Sequence, residues 1–192
     1  MMGKTITKRF FFDFLRTVKE DPHRYLYIKN ALMRFKKEGF DINTKNPNGK
    51  TLLHIAVTLN ENKLCKLLCK LGVIIDLADD LGNTPLHQAV AENKIRIVKT
   101  LVTAGADVNL GAEQDQTPLH LAVINGNLDI IKYLVNNNGD ILLVDEKNLD
   151  SIDYAVDERD ANIVNYFSTK IDISKKRLEH IDRIMKGEDY ER

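Results

Sequence analysis

The stretch Thr84-Pro-Leu-His87-Gln-Ala89 recurs along the chain at a constant interval of 33 residues, and this recurrence indicates the architecture. The matching stretches are Thr51-Leu-Leu-His54-Ile-Ala56, Thr117-Pro-Leu-His120-Leu-Ala122 and, more distantly, Asp150-Ser-Ile-Asp153-Tyr-Ala155. All four keep the register without an insertion. Such a period predicts a repeat architecture in which each unit is one supersecondary element and neighbouring units bury each other's apolar faces.

Other positions keep the same period and indicate what each unit contains. Aliphatic pairs recur and a large apolar residue follows each pair at helical spacing, which predicts a second helix in every unit. The apolar residues are Leu68, Leu101, Leu134 and Phe167. Thr84 and Thr117 stand before prolines, as expected for N-caps of a first helix with proline at its first position.

Two further sets of recurring positions predict turns. Asn60, Asn93, Gly126 and Arg159 follow the first helix, and three of these four are residue types that tolerate a left-handed backbone. Gly49, Gly82, Asp115 and Asn148 fall just before the first helix and also favour positive φ. The first set predicts the turn between the paired helices, and the second predicts a hairpin tip.

From the repeated Thr-Pro-Leu-His-x-Ala stretch, the chain resembles the ankyrin-repeat family over roughly residues 31–167. The resemblance implies an all-α solenoid of stacked helix-turn-helix pairs with β-hairpin tips, closed by helical caps at both ends. It implies the following segments: 1–45 as an N-terminal cap and partial repeat; 46–78, 79–111 and 112–144 as repeats; 145–173 as a divergent last repeat; and 174–192 as a capping helix and tail.

Both ends of the chain carry helix signals. The N-terminal segment predicts one helix over Thr5 to Glu20 and a second that starts at Asp21-Pro22, with Leu26, Ile28, Leu32 and Phe35 available for packing. At the other end, Ser174 predicts the N-cap of a helix that runs to about Lys186. The apolar residues expected on one side of that helix are Leu178, Ile181, Ile184 and Met185.

Net charge restricts the classes of partner. The 28 Lys and Arg residues equal the 28 Asp and Glu residues, but residues 1–40 carry a net +6 and residues 41–169 a net −7. The repeats are therefore poor candidates for coating nucleic acid, whereas residues 1–40 remain open to an acidic lipid or a nucleic acid. No apolar run approaches the ~20 residues of a membrane span, and two cysteines predict a reducing compartment, the cytoplasm.

Catalytic and metal-binding patterns do not emerge from the sequence. The recurring His54, His87 and His120 lie one per repeat, and the resemblance implies that each makes a local hydrogen bond between repeats. Cys65 and Cys69 occupy apolar positions of the period, so we expect core packing rather than a zinc or redox pair. No phosphate loop or nucleophile motif is present. We expect no enzyme, no cofactor and no metal, although an activity hidden in the caps stays an alternative.

Partner binding is what the resemblance implies, on a concave face of hairpin tips and first helices. Four aliphatic residues fall at positions that packing does not dictate and form a candidate apolar stripe: Leu59, Leu81, Ile124 and Leu149. Acidic residues would surround them: Asp80, Glu92, Glu113, Glu146, Asp157 and Glu158. An apolar centre with a charged rim is typical of an interface. The alternative is that the aliphatic residues are singly exposed or pack beneath a neighbouring tip.

The resulting hypothesis is a non-catalytic, monomeric protein-interaction module whose partner has a basic and partly apolar surface. Two alternatives stay open. In the first, the chain is an ankyrin-type effector of an intracellular bacterium that acts in the host cytoplasm. In the second, it is a scaffold that presents residues 1–40 to acidic lipid or nucleic acid.

Overall fold

A computed structural model describes residues 24–186 of the chain. The predicted helix over Thr5 to Glu20 and the tail after Lys186 lie outside the described residues. The chain divides into two compact units, Met1–Asp107 and Val108–Arg192. The described part of the first unit contains α1 (Arg24–Lys37), α2 (Leu52–Thr58), α3 (Asn62–Lys70), α4 (Pro85–Ala91) and α5 (Ile95–Thr103). The second contains α6 (Pro118–Ile124), α7 (Leu128–Val135), α8 (Ser151–Asp157), α9 (Ala161–Ser168) and α10 (Lys175–Lys186).

Each first helix of a pair begins with the same reciprocal cap. The Thr84 hydroxyl accepts a hydrogen bond from the His87 backbone N–H at 3.4 Å, and the His87 ring accepts one from the Thr84 N–H at 3.3 Å. Equivalent caps begin α2, α6 and α8, where Asp150 takes the place of Thr. These caps satisfy donors that a helix start leaves unpaired, so the predicted N-caps are confirmed.

The predicted turn between paired helices is also confirmed. The residues after the first helices all adopt positive φ, with values of 56° at Asn60, 53° at Asn93, 62° at Gly126 and 55° at Arg159. Arg159 has neither the freedom of glycine nor the local hydrogen bonding of asparagine. Because it takes the same conformation, the packing of the two helices imposes the turn there.

In the first unit, α2 packs on α3 and α4, and α3 packs on α1 and α5. From α1, Ile28, Leu32 and Phe35 are buried in the core as predicted. The prediction was wrong for Leu26, which is 55 % exposed. The three buried residues follow the spacing of one helical face, and Leu26 lies off that face.

In the second unit, α6 packs on α7 and α8, and α8 also contacts α9 and the C-terminal helix α10. Ser174 precedes α10 and its hydroxyl accepts the Arg177 N–H at 3.4 Å, as the N-cap prediction requires. Ile181 is buried and Ile184 and Met185 are half-buried. Leu178 shares that side of the helix by its spacing from Ile181, but it is 40 % exposed. Ile181 and Met185 are one turn apart, and α10 places that face on α8.

The predicted hairpin tips are tight turns without a strand ladder, since residues 24–186 form no β-strand. Each tip is closed by two backbone hydrogen bonds. In the tip of residues 79–83, the Asp79 N–H donates to the Asn83 carbonyl at 2.8 Å, and the Gly82 N–H donates to the Asp79 carbonyl at 3.1 Å. The same pair of bonds recurs at residues 46–50, 112–116 and 145–149. None of the described helices is long and apolar enough to span a membrane.

Candidate functional site

The tips present their side chains from a fixed backbone. One Asp79 carboxylate oxygen accepts the N–H groups of Leu81 and Asn83, both at 3.0 Å. Asn46 and Asp145 hold their own tips in the same way. Such a side-chain brace removes conformational freedom from the turn, so residues at its apex meet a partner in a preformed arrangement.

Neighbouring tips of the first unit pack closely. An ideal Cβ added to Gly49 would lie 2.2 Å from a carboxylate oxygen of Asp80 and 2.4 Å from its backbone nitrogen. Beneath the tips, His54 Nε2 donates to the Asn83 carbonyl at 2.9 Å. The implied role, a hydrogen bond between repeats, is confirmed for His54. It was wrong for His120, whose Nε2 is buried without a hydrogen-bond partner among the described residues. Burial lowers the pKa of His54, which favours the neutral ring that this bonding pattern needs.

The first unit contains four of the predicted binding residues. Leu81 is 62 % exposed at the tip, beside the exposed Asp80. Leu59 is the C-cap residue of α2 and is half-buried. Glu92 caps the end of α4 with its carboxylate in contact with Lys94.

The Glu92 carboxylate belongs to a network that joins α2 to α4. Lys94 Nζ donates to the Val57 carbonyl at the end of α2 at 2.6 Å and also contacts Glu92. Gln88 Nε2 donates to Glu92 at 2.8 Å and to the Thr58 hydroxyl at 2.6 Å. Burial acts to raise the pKa of Glu92, but the hydrogen bonds from Lys94 and Gln88 outweigh it and lower the pKa. The Glu92 carboxylate, predicted as part of the rim, therefore also helps to hold α2 and α4 together.

The tip at residues 112–116 differs from the others. Ala112 occupies the position of Asp79 and carries no side chain that could brace the turn. The segment Glu113–Asp115 instead forms a short 3-10 turn in which Gln114 has φ of 60° and Asp115 has φ of 55°. Its carbonyl at Gln114 accepts the N–H of Glu146 from the following tip at 3.1 Å. Both predicted rim residues of these tips, Glu113 and Glu146, are exposed.

The remaining predicted residues lie at the ends of first helices and at the last tip. Ile124 is the last residue of α6 and is 38 % exposed. Leu149 is half-buried below its tip. Asp157 ends α8, Glu158 is its C-cap, and both are exposed. Exposed apolar and acidic groups thus occur in this unit as well, with the aliphatic residues less accessible than Leu81.

Much of the acidic cluster in the last repeat has a structural function. Tyr154 donates its hydroxyl hydrogen to Asp145 at 2.6 Å and accepts a hydrogen bond from Gln116 Nε2 at 2.8 Å. Burial acts to raise the pKa of Asp145, but the hydrogen bonds from Tyr154 and the tip N–H groups outweigh burial, and the pKa is lowered. Asp150 and Asp160 cap α8 and α9. The charges left for a partner are mainly those of Glu146, Asp157 and Glu158.

Several exposed aliphatic residues were missed by the sequence analysis. Ile74 in the first unit and Leu110, Leu142 and Val144 in the second are all exposed. A signal for Leu142 was present, because the residue one period earlier is Asn109 and the one before that is Asp76. An aliphatic residue where other repeats carry a polar one does not contribute to the common core.

Cys65, Cys69 and His120 lie in the packed core or at its edge. Cys65 is fully buried, which raises the pKa of its thiol to about 12, and its assignment to the core is confirmed. Cys69 is only half-buried, because it lies one turn further along α3 at the edge of the packed face. The rings of His120 and Tyr154 contact each other at an interplanar angle of 58°, with centroids 5.4 Å apart. Among the described residues, no three His, Cys, Asp or Glu side chains are grouped as metal ligands would be.

Helix pairs with a period of 33 residues, capped alike and joined by tight tips, define a helical repeat protein. Family models described as ankyrin repeats match residues 25–112 (three copies) and residues 101–155 (many copies). The chain belongs to the ankyrin-repeat family, and its fold class is the all-α ankyrin-repeat solenoid predicted from the sequence. A comparison with curated proteins found no match. Ankyrin repeats are generally protein-interaction modules and are typically non-catalytic.

Proposed function

We propose that this protein is a non-catalytic interaction module that binds a partner through its tips and first helices. The observation that carries the proposal is Leu81, a large aliphatic residue that is 62 % exposed on a turn whose backbone is held by Asp79. The exposed Leu81 side chain contributes little to the core, and covering it with a partner would contribute at most about 1.5–3 kcal/mol to binding. A preformed turn carrying one apolar side chain suits a contact in the centre of an interface.

The partner's surface is proposed to be basic and partly apolar. Asp80 lies beside Leu81 in the first unit, and Glu146, Asp157 and Glu158 are exposed in the second together with Ile124. Carboxylates around an apolar contact accelerate association with a positively charged partner and select against acidic ones. The monomeric state and a location in the cytoplasm are part of the same proposal.

The site is tested with a pair of matched double variants. Leu81→Glu with Ile124→Glu places one charge on the candidate surface of each unit. Met33→Glu with Leu178→Glu places the same charges at exposed apolar positions of α1 and α10. Both proteins are used for affinity capture followed by mass spectrometry, beside the unchanged chain. We expect a set of captured proteins that the first variant loses and the second retains.

The charge of the partner is tested separately with the captured protein in purified form. Asp157→Lys with Glu158→Lys should weaken its binding at least about tenfold, and the effect should diminish as salt is raised. Capture profiles that are identical for the two double variants would reject the site. Binding that is unchanged by the two lysines would reject a basic partner.

The other two hypotheses from the sequence stay predictions. Presentation of residues 1–40 to acidic lipid or nucleic acid concerns a segment of which only residues 24–40 are described. Low-salt binding of the 1–40 peptide to acidic vesicles or DNA tests it. An effector role requires that the protein leaves the bacterium and enters the host cell. Detection of the protein in the host cytoplasm tests this role.

A further inference from the structure

A groove lies between the second helices of the first unit, away from the tips. It has a volume of about 510 Å³ and runs between α3 and α5. Four cationic side chains line it: Lys66 and Lys70 from α3, and Arg96 and Lys99 from α5. Most of its surface is apolar, with the half-buried Cys69 and Ala104 contributing to that part. We refer to it as the α3–α5 groove.

The positive charge of these two helices exceeds what the fold requires. Between them, α3 and α5 carry five basic residues and no carboxylate. The corresponding second helices of the other unit, α7 and α9, carry one lysine and one aspartate. Since both pairs of helices have the same position in their repeats, the cations around the α3–α5 groove are particular to this part of the chain.

The cations form two pairs that flank the groove. Lys66 and Lys70 are one turn apart on α3, and Arg96 and Lys99 are three residues apart on α5, so each pair shares a helix face. The helices are joined across the groove by a hydrogen bond of 2.6 Å from the Thr100 hydroxyl to the Asn62 side chain. The groove therefore exists before any ligand enters, which lowers the entropic cost of binding.

We propose that the α3–α5 groove binds an acidic segment of a partner protein, with carboxylates on the two cation pairs and an apolar side chain between them. Carboxylates two residues apart in an extended segment are separated by about 6.8 Å, close to the ~5–6 Å between residues one helical turn apart. The apolar side chain would cover Cys69 and Ala104.

Two other anionic ligands fit the groove less well. A bilayer surface would reach the lysine and arginine head groups, but it would leave the apolar interior between the helices unfilled. Single-stranded nucleic acid binds with its bases stacked on aromatic side chains, and none lines this groove. Volume, an apolar interior and paired cations together favour a peptide.

The acidic segment is independent of the basic partner proposed for the tips and first helices, because different residues and the opposite charge are involved. Either proposal can fail without the other.

The binding test uses the full chain and a fluorescein-labelled peptide in which glutamates flank leucines. In fluorescence anisotropy at about 150 mM salt, we expect saturable binding that disappears when every glutamate is replaced by glutamine. Lys66→Glu with Arg96→Glu should weaken binding at least about tenfold. The matched control, Lys37→Glu with Lys63→Glu, makes the same charge change at exposed positions outside the groove and should change affinity less than about twofold.

A chemical footprint locates the bound peptide without any charge change. Cys69 lines the groove, whereas Cys65 is fully buried, so iodoacetamide should modify Cys69 first. Saturating peptide should slow alkylation of Cys69 at least about threefold, relative to the glutamine peptide.

Four results would overturn the proposal. They are the absence of peptide binding to the unchanged chain, equal loss of affinity in the two charge variants, and alkylation of Cys69 that the peptide does not slow. The fourth is that the chain does not bind the peptide but binds vesicles of phosphatidylcholine and phosphatidylserine, and that Lys66→Glu with Arg96→Glu weakens this vesicle binding. That outcome would assign the groove to lipid.

Discussion

Arg177 of the C-terminal helix α10 donates to one carboxylate oxygen of Asp150 at 2.7 Å, and Asp150 is the residue that caps α8. The same guanidinium nitrogen lies 3.0 Å from the Asp153 carboxylate, the other half of that cap. The Asp150 side chain is only 7 % exposed. These hydrogen bonds, foremost the one that Arg177 donates to Asp150, raise the pKa of Arg177, so the charge persists. The last repeat therefore ends on a helix held by a cation and two carboxylates.

Arg177→Gln should lower the free energy of unfolding by about 1–2 kcal/mol, because it leaves a nearly buried carboxylate without its cation. Lys186→Gln is the control. It removes a cation from the same helix, but its partner Asp182 is exposed, so the expected change is below about 0.5 kcal/mol. Urea denaturation of both variants measures the difference. Equal small changes would mean that α10 adds little to the stability of the last repeat.

The part of the fold that repeats could be predicted from the sequence because its causes are local. Thr84 caps its own helix, and the positive φ of Gly82 and Asn93 follows from neighbours a few residues away. Because the same local signal recurs every 33 residues, each repeat supports the prediction made for the others. Even Arg159, a poor residue for a left-handed turn, could be placed by its position in the period.

What the sequence did not predict depends on contacts between elements. The pairing of Arg177 with Asp150 joins residues 27 positions apart, and the equivalent cap residue of the other repeats is an uncharged threonine. Glu92 was predicted as a rim charge for a partner, but its ion pair with Lys94 is part of the network that joins α2 to α4. The α3–α5 groove depends on how two helices pack side by side, which no single repeat contains.

Gly49→Ala should destabilise the first unit more than Gly72→Ala. Both glycines have positive φ, 69° and 81°, so each alanine incurs a left-handed strain of about 1–2 kcal/mol. Only at Gly49 does the new Cβ also meet the backbone of Asp80, at 2.4 Å, whereas nothing lies within 4 Å at Gly72. Denaturant unfolding should show an additional loss of at least about 1 kcal/mol for Gly49→Ala. Equal losses would show that the tips separate readily.

Stability should fall between pH 7.5 and pH 5.5 because of buried histidines. Burial lowers the pKa of His54 and His120 in the folded chain, whereas the unfolded chain titrates near 6.5. Below that pH the unfolded state binds more protons, so the free energy of unfolding decreases, by up to about 1.4 kcal/mol per pH unit for each histidine. Above pH 7.5 both rings are neutral in both states and stability should be flat in this respect.

Urea denaturation at pH 5.5, 6.5, 7.5 and 8.5 measures this dependence. His120→Asn is the test variant, since it removes one of these two buried rings and should reduce the slope between pH 6.5 and 5.5 while leaving the plateau above pH 7.5. A slope that the variant retains in full would assign the pH dependence to other groups.

Tyr154→Phe should lower the free energy of unfolding by about 1–2 kcal/mol at pH 7, because the Tyr154 hydroxyl donates to the ionised Asp145 carboxylate at 2.6 Å. Tyr166→Phe is the control: its hydroxyl is buried without a hydrogen-bond partner, so its removal should be neutral or slightly stabilising. The folded pKa of Asp145 is lowered, so its contribution is present above the unfolded pKa near 3.9 and is lost as the pH falls through the folded value. The difference in the free energy of unfolding between the unchanged chain and Tyr154→Phe should therefore become smaller at acid pH. NMR titration should show a higher pKa for Asp145 in the variant. An unchanged Asp145 titration would mean that the backbone N–H groups of the tip are sufficient to hold its charge.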